Sequence, residues 1–166
     1  MRRLILMRHA KSSWADPSQR DLDRPLNKRG RKAAGLIGGW LKKRRYRPDA
    51  ALVSSARRAQ ETWACVVAAA GAAPTVYRPE LYHASMETML GVLREPHEAK
   101  CLMMLGHQPG IGGFVQRLPA DPPGDADFAK FPTAATAVID FEVDAWPEVA
   151  PGTGRLVDFV VPRSLE

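Results

Sequence analysis

Three short polar stretches hold the residues most able to do chemistry. Arg8-His9 follows the apolar run Leu4-Ile5-Leu6-Met7. Ser54-Ser55-Ala56-Arg57-Arg58 follows the apolar run Ala50 to Val53, and Gly106-His107 follows Cys101 to Leu105. Paired histidines and arginines of this kind suit phosphoryl transfer. That reaction needs positive groups around three equatorial oxygens and a nucleophile in line with the leaving atom. An arginine fork bonds two phosphate oxygens at once and stays charged. A histidine attacks phosphorus through one ring nitrogen when an acceptor, often a backbone carbonyl, holds the other. The product is a phosphoimidazole, which water then hydrolyses.

The elements needed to bring these stretches together are readable from pattern. Leu4 to Met7 is too short for a helix core and suits a buried central strand. Residues 8–24 contain Asp16-Pro17-Ser18, a turn signal, and read as a loop. Asn27 is a good N-cap for a helix to about Arg45, with Ala33, Ala34, Ile37, Trp40 and Leu41 on one face. Ala50 to Val53 is a second strand, followed by a helix from about Ala56 to Ala70 that Gly71 closes. Thr75 to Tyr77 is a candidate third strand, Glu80 to His83 a loop, and Ser85 caps a helix from about Met86 to Arg94. Cys101 to Leu105 is another strand, with a short helix over Ile111 to Leu118. Residues 119–132, rich in Pro, Asp and Gly, read as an exposed loop. Ala134 to Val143 and Arg155 to Val161 read as two late strands, an antiparallel pair. Strands alternating with helices imply an α/β fold with a mostly parallel sheet and helices on both faces. Such sheets bind ligands beyond the carboxyl ends of their strands. All three polar stretches sit there, so the topology gathers them into one pocket.

Composition bounds the rest. A chain of 166 residues fits one domain, spanning 1–166. The net charge of +6 favours anionic partners, whether phosphorylated small molecules, phosphoproteins or nucleic acid. Much of the excess lies in 24–32 and 42–47. Cys65 and Cys101 have no metal-ligand spacing and read as small buried hydrophobes in a reducing compartment. The apolar run after Met1-Arg2-Arg3 is too short for a signal peptide, and no segment approaches a membrane span. A cytoplasmic protein with no membrane association is expected.

Taken together, the motifs resemble those of the histidine phosphatase superfamily, the phosphoglycerate mutase-like family. Leu6-Met7-Arg8-His9-Ala10 is similar to its first motif. Ser54 to Thr62 is similar to its Ser-x-x-x-Arg-Ala-x-x-Thr motif, and Gly106-His107 to its late Gly-His motif. The closest resemblance is to the SixA-like phosphohistidine phosphatases. It is carried by Arg8-His9-Ala10-Lys11-Ser12-Ser13-Trp14, Asp23 to Gly30, Pro79-Glu80-Leu81-Tyr82 and Gly106 to Gly110. The resemblance implies a phosphoglycerate mutase-like fold with no large lid, and no metal or cofactor. It implies His9 as nucleophile, with Arg8, Arg58 and His107 lining the phosphate. Arg58 rather than Arg57 fits, because it precedes Ala59. Ala15 stands where mutase-like members often carry Asn, and Ser12 or Ser13 is a substitute hydroxyl. Glu80 is the candidate general acid.

The substrate implied is a phosphorylated protein of the histidine phosphotransfer type. The alternative is a broad phosphatase of small phosphate esters, and a working acid at Glu80 favours that one. A third reading is a module that binds phosphorylated partners or nucleic acid without turnover. It would fit loss of His9 or a pocket arginine, and neither is lost. Nucleic-acid binding also needs exposed aromatics along a basic stripe. Trp40 falls on an apolar helix face instead, so no nucleic-acid partner is expected. The oligomeric state is open. His83 and His97 read as ordinary loop histidines. Asp23 and Arg24 read as a pair that shapes the first loop, and Trp14 as a pin for that loop. Lys11 and Lys28 can steer an acidic partner or simply be solvated.

Overall fold

The computed structural model describes residues 1–166. It is organised by strand β1 (Arg2–Arg8), one of the two central strands of a six-stranded sheet. Leu4, Ile5, Leu6 and Met7 are fully buried. Leu4 and Leu6 face one core, Ile5 and Met7 the other. Such a strand is buried on both faces, which is why it reads as an unbroken apolar run rather than an alternating one.

In chain order follow α1 (Lys28–Arg44), β2 (Ala50–Ser54), α2 (Arg57–Ala70), β3 (Thr75–Arg78), α3 (Met86–Leu93), β4 (Cys101–Gly106), α4 (Gly110–Arg117), α5 (Ala126–Lys130), β5 (Thr136–Phe141) and β6 (Arg155–Val160). The sheet order is β3-β2-β4-β1-β5-β6. Strands β3, β2, β4 and β1 are mutually parallel. β5 runs antiparallel to both β1 and β6. Helices α1 and α2 cover one face through Ile37, Leu41, Trp63 and Val66. The other face carries α3, α4 and α5, with Met89, Phe114, Phe128 and Trp146 in its core.

Local chemistry agrees with these boundaries. The Asn27 side chain accepts the Gly30 N–H at 2.8 Å and starts α1. Ser85 does the same for α3, through Thr88 N–H. Two expectations change. Residues 119–132 are not simply an exposed loop, because they contain α5, and Phe128 and Phe131 are fully buried. The polar and Pro-rich letters around those two rings hide a piece of core. Cys65 and Cys101 are only partly buried, packed at the edge of the α1–α2 core.

One close approach fixes the site. The first motif runs on from β1 beneath the start of α1. A side chain on Gly30 would put its Cβ 2.1 Å from the Lys11 carbonyl oxygen. Only glycine lets α1 press on that backbone, and Asn27 N–H donates to the same Lys11 oxygen at 3.0 Å. Gly30→Ala is therefore expected to cost about 1–3 kcal/mol, as overpacking does. The reading is a lower urea midpoint at unchanged slope; an unchanged midpoint would mean that α1 is free to move away.

Candidate active site

Strand register builds the site. Arg8 is paired with Gly106 across β1 and β4, and Val53 with Leu105 across β2 and β4. The residues just beyond, His9, Ser54 and His107, therefore emerge together at the carboxyl edge of the sheet. A cavity of about 320 Å³ opens there, lined by Arg8, His9, Ser12, Arg24, Arg58 and His107. Lys11, Trp14, His83, Gln108 and Thr133 complete its wall.

His9 is held by its own backbone neighbour. Its Nδ1 lies 2.7 Å from the Ala10 carbonyl oxygen. A carbonyl only accepts, so Nδ1 carries the proton and Nε2 keeps a free lone pair. The Ala10 peptide is itself fixed. Its N–H donates to Thr62 Oγ1 at 2.9 Å, and that hydroxyl donates to the Arg58 carbonyl at 2.7 Å. His9 N–H donates to Gly106 O, and Ala134 N–H donates to His9 O. Burial pushes the His9 pKa down to about 4, and the neighbouring Arg58, Arg8 and Arg24 charges add to the fall. At neutral pH the ring is uncharged.

His107 stands beside it, ring centroids 5.0 Å apart. Its Nε2 is 2.7 Å from Ser54 Oγ. Ser54 Oγ also accepts the Ala56 N–H at 3.2 Å, and its own hydroxyl proton can be donated to the ring nitrogen. Nδ1 of His107 then bears the proton, and it has no partner in the protein. Burial, with His9 and Arg58 nearby, lowers the His107 pKa to about 3.

The arginines are anchored from behind. Arg58 donates from Nη1 to the Asp21 carbonyl at 2.7 Å and from Nη2 to Asp21 Oδ2 at 3.0 Å. Arg24 donates to Asp21 Oδ1 at 3.1 Å and to Ser12 Oγ at 2.6 Å, and its guanidinium lies 3.6 Å from the Trp14 ring centroid. Tyr82 also donates its hydroxyl to Asp21. Burial acts to raise the Asp21 pKa. The hydrogen bonds from Tyr82 and Arg58 outweigh it and hold the carboxyl well below the usual range. Arg8 donates from Nη1 to the Phe131 carbonyl at 3.2 Å. The Nε groups of Arg8 and Arg58 are buried and find no acceptor in the protein. Unsatisfied buried donors are rare and costly. Here these two and His107 Nδ1 make three around one cavity, an arrangement that suits a tetrahedral oxyanion.

Of the five expected site residues, the fold brings together His9, Arg8, Arg58 and His107. Glu80 is not among the residues lining the cavity. Its exposed carboxylate is bound by Arg78 Nη2 at 2.8 Å, and Arg78 also holds Glu95. Arg57 turns to the surface and bonds Glu61. The expected Asp23–Arg24 pair is replaced by two others: Asp23 pairs with Arg20, and Arg24 with Asp21. Arg24 thereby becomes a cavity residue, a role the Asp23 to Leu26 run signalled only as loop shape. His83 lies in an exposed turn, as an ordinary loop histidine would, but it also lines the cavity. It sits in the left-handed region at φ 55°, with Nε2 3.5 Å from Asp21 Oδ2. Gln108 and Thr133 were not expected. Thr133 arrives only because β5 pairs antiparallel with β1.

Comparison with known proteins agrees with this architecture. The family model of the histidine phosphatase superfamily (branch 1) matches residues 4–109. The chain belongs to that superfamily. An uncharacterized protein of Mycobacterium tuberculosis is 38% identical over 164 residues, which is 95% of this chain and 100% of that one. A candidate phosphohistidine phosphatase SixA from Agrobacterium tumefaciens superposes with a TM-score of 0.81 at 33% identity, covering 97% of this chain and 98% of that one. A second candidate SixA, from Nakamurella multipartitia, gives 0.81 at 28% identity, covering 97% and 96%. The similarity is thus to SixA proteins, and it runs through the whole sheet.

The depressed histidines make stability depend on pH. Between about 4 and the ordinary value of 6.5, the unfolded chain binds protons that folded His9 does not, and His107 adds to this. Stability therefore rises with pH through that window and is lost on acidification. The melting temperature should fall between pH 6.5 and pH 4, and His9→Ala should fall less steeply. Parallel profiles for the two proteins would contradict the placement of an uncharged His9.

Proposed function

We propose that this chain is a phosphatase that removes phosphate from phosphohistidine on a protein, through a phosphohistidine intermediate on His9. One observation carries the reading. Three buried donors without protein partners, Arg8 Nε, Arg58 Nε and His107 Nδ1, surround an uncharged histidine whose Nε2 is free. Nε2 forms a bond to phosphorus while the bond from phosphorus to the substrate imidazole nitrogen breaks. The arginines and His107 hold the three equatorial oxygens and stabilise charge that develops there. Water then attacks the same phosphorus, the bond to Nε2 breaks, and inorganic phosphate leaves. Nδ1 stays bonded to the Ala10 carbonyl throughout, so the ring returns to its starting tautomer. The arginines supply the positive charge, so the reading needs no metal.

The proton inventory favours phosphohistidine as substrate. No carboxyl group lines the cavity. An alkyl ester needs an acid to protonate its leaving oxygen. Imidazole is a much better leaving group and can take its proton on the distal ring nitrogen. The names of the SixA relatives point the same way, and a histidine phosphotransfer protein in the cytoplasm is the matching partner. A second reading, hydrolysis of small phosphate esters, is favoured by His83. It faces the cavity beside the Asp21 carboxylate and can donate a proton there.

The test is phosphate release from a phosphohistidine protein and from a simple alkyl phosphate, side by side in chelator. Release from the protein is expected to dominate, and His9→Ala to abolish it by at least about a thousandfold. Glu80→Gln should leave it unchanged. If the ester is the better substrate and His83→Gln removes that preference, the second reading replaces the first.

A further inference from the structure

A second cleft opens beside the active site, with a volume of about 460 Å³. Lys11 and Thr133 line both. His9 does not line this second cleft, which lies between the start of α1, the end of α5 and the last residues of the chain. Arg29 and Lys32 project into it from α1, one helical turn apart, and Lys130 from the last turn of α5. Lys11, Arg29, Lys32 and Lys130 are exposed, and none makes an ion pair. The fifth cation, Arg163, is matched by Asp127 at 2.8 Å. Glu166 also lines the cleft and is the one remaining carboxylate side chain there. Three separate segments thus deliver unpaired positive charge to one concave surface that opens into the phosphate site.

We infer that this cleft docks an acidic surface of the phosphorylated protein substrate, next to its phosphohistidine. The inference rests on the phosphoprotein reading and names what that partner must carry: carboxylates beside the phosphoryl group. A small phosphate is accommodated in the 320 Å³ cavity alone and has no reason to reach Arg29 or Lys32. A single-stranded nucleic acid would stack its bases on aromatic rings, and no aromatic residue lines the cleft. Unpaired basic side chains in a groove attract an acidic protein from a distance and set its orientation, an effect that salt screens. The close seat of α1 at Gly30 keeps Arg29 beside Lys11, so the docked acidic face and the phosphate have a fixed offset.

The test compares two charge reversals in the full-length chain. Arg29→Glu with Lys32→Glu alters the cleft. Lys42→Glu with Lys43→Glu makes the same change in net charge at the far end of α1. Glutamate near the start of a helix is favourable, so the cleft variant should fold, and its melting temperature checks that. Substrates are a phosphorylated histidine phosphotransfer domain and free phosphohistidine. The cleft variant should lose about tenfold or more in kcat/KM for the protein at low salt, and keep free phosphohistidine turnover within about twofold. The distal variant should keep both. Equal losses on both substrates, equal losses in both variants, or no loss at all would overturn the docking site. Inhibition of protein turnover by single-stranded DNA but not by polyglutamate, lost in the cleft variant, would assign the cleft to nucleic acid instead. A wild-type chain that hydrolyses free phosphohistidine but not the phosphoprotein removes the parent reading as well. A competent wild type with an unaffected cleft variant removes this inference alone.

Discussion

The hydrogen bond from His9 Nδ1 to the Ala10 carbonyl is the constraint on which the rest depends. It settles which ring nitrogen carries the proton, and therefore which can meet phosphorus. A carbonyl one residue away can play this part only if its peptide is locked. Thr62 locks it, and Thr62 in turn is tied to the turn of α2 that carries Arg58. The hydroxyl at the end of the second motif thus belongs to the geometry of the first. Strand pairing does the remaining placement, since Gly106 accepts from His9 N–H and delivers His107 as the next residue.

Around that ring the electrostatics are lopsided. Arg8, Arg24 and Arg58 and the exposed Lys11 line the cavity, while the carboxylate that braces Arg24 and Arg58, Asp21, does not line it. Burial, reinforced by that excess, keeps His9 and His107 uncharged, which a nucleophile requires. It also leaves buried donors unpaired, a cost to the folded chain. The scaffold that carries this cost is the pair of cores on either side of β1, each built from residues almost wholly out of water. A dianionic phosphoryl group relieves the imbalance in the place where it must bind. The same field continues outward through Lys11 into the neighbouring basic cleft.

Much of this arrangement was legible in the sequence, for a physical reason. Buried parallel strands must be apolar runs, and their carboxyl ends must hold the ligand, so Arg8-His9, Ser54 to Arg58 and Gly106-His107 could be read as one site. Caps such as Asn27 and Ser85 gave the helix starts. What stayed hidden depends on contacts across long separations. Asp21 looked like one more polar loop residue until Arg58, Arg24 and Tyr82 converged on it. Phe128 and Phe131 were lost in a Pro-, Asp- and Gly-rich stretch, although both are core residues and the Phe131 carbonyl braces Arg8. Glu80 and His83 lie three residues apart in one turn. Motif likeness favoured the carboxylate, but Arg78 draws it outward while the left-handed backbone at His83 brings the imidazole to the cavity. No local pattern distinguishes those two outcomes.

The central claim is that the phosphoryl group passes through Nε2 of His9. The most direct measurement is to mix the chain with a phosphohistidine protein, quench in base within the first turnover, and map the labelled peptide. The account predicts a base-stable, acid-labile phosphoryl group on His9, absent from His9→Ala. Label on any other residue, or turnover in His9→Ala at the wild-type rate, would contradict it.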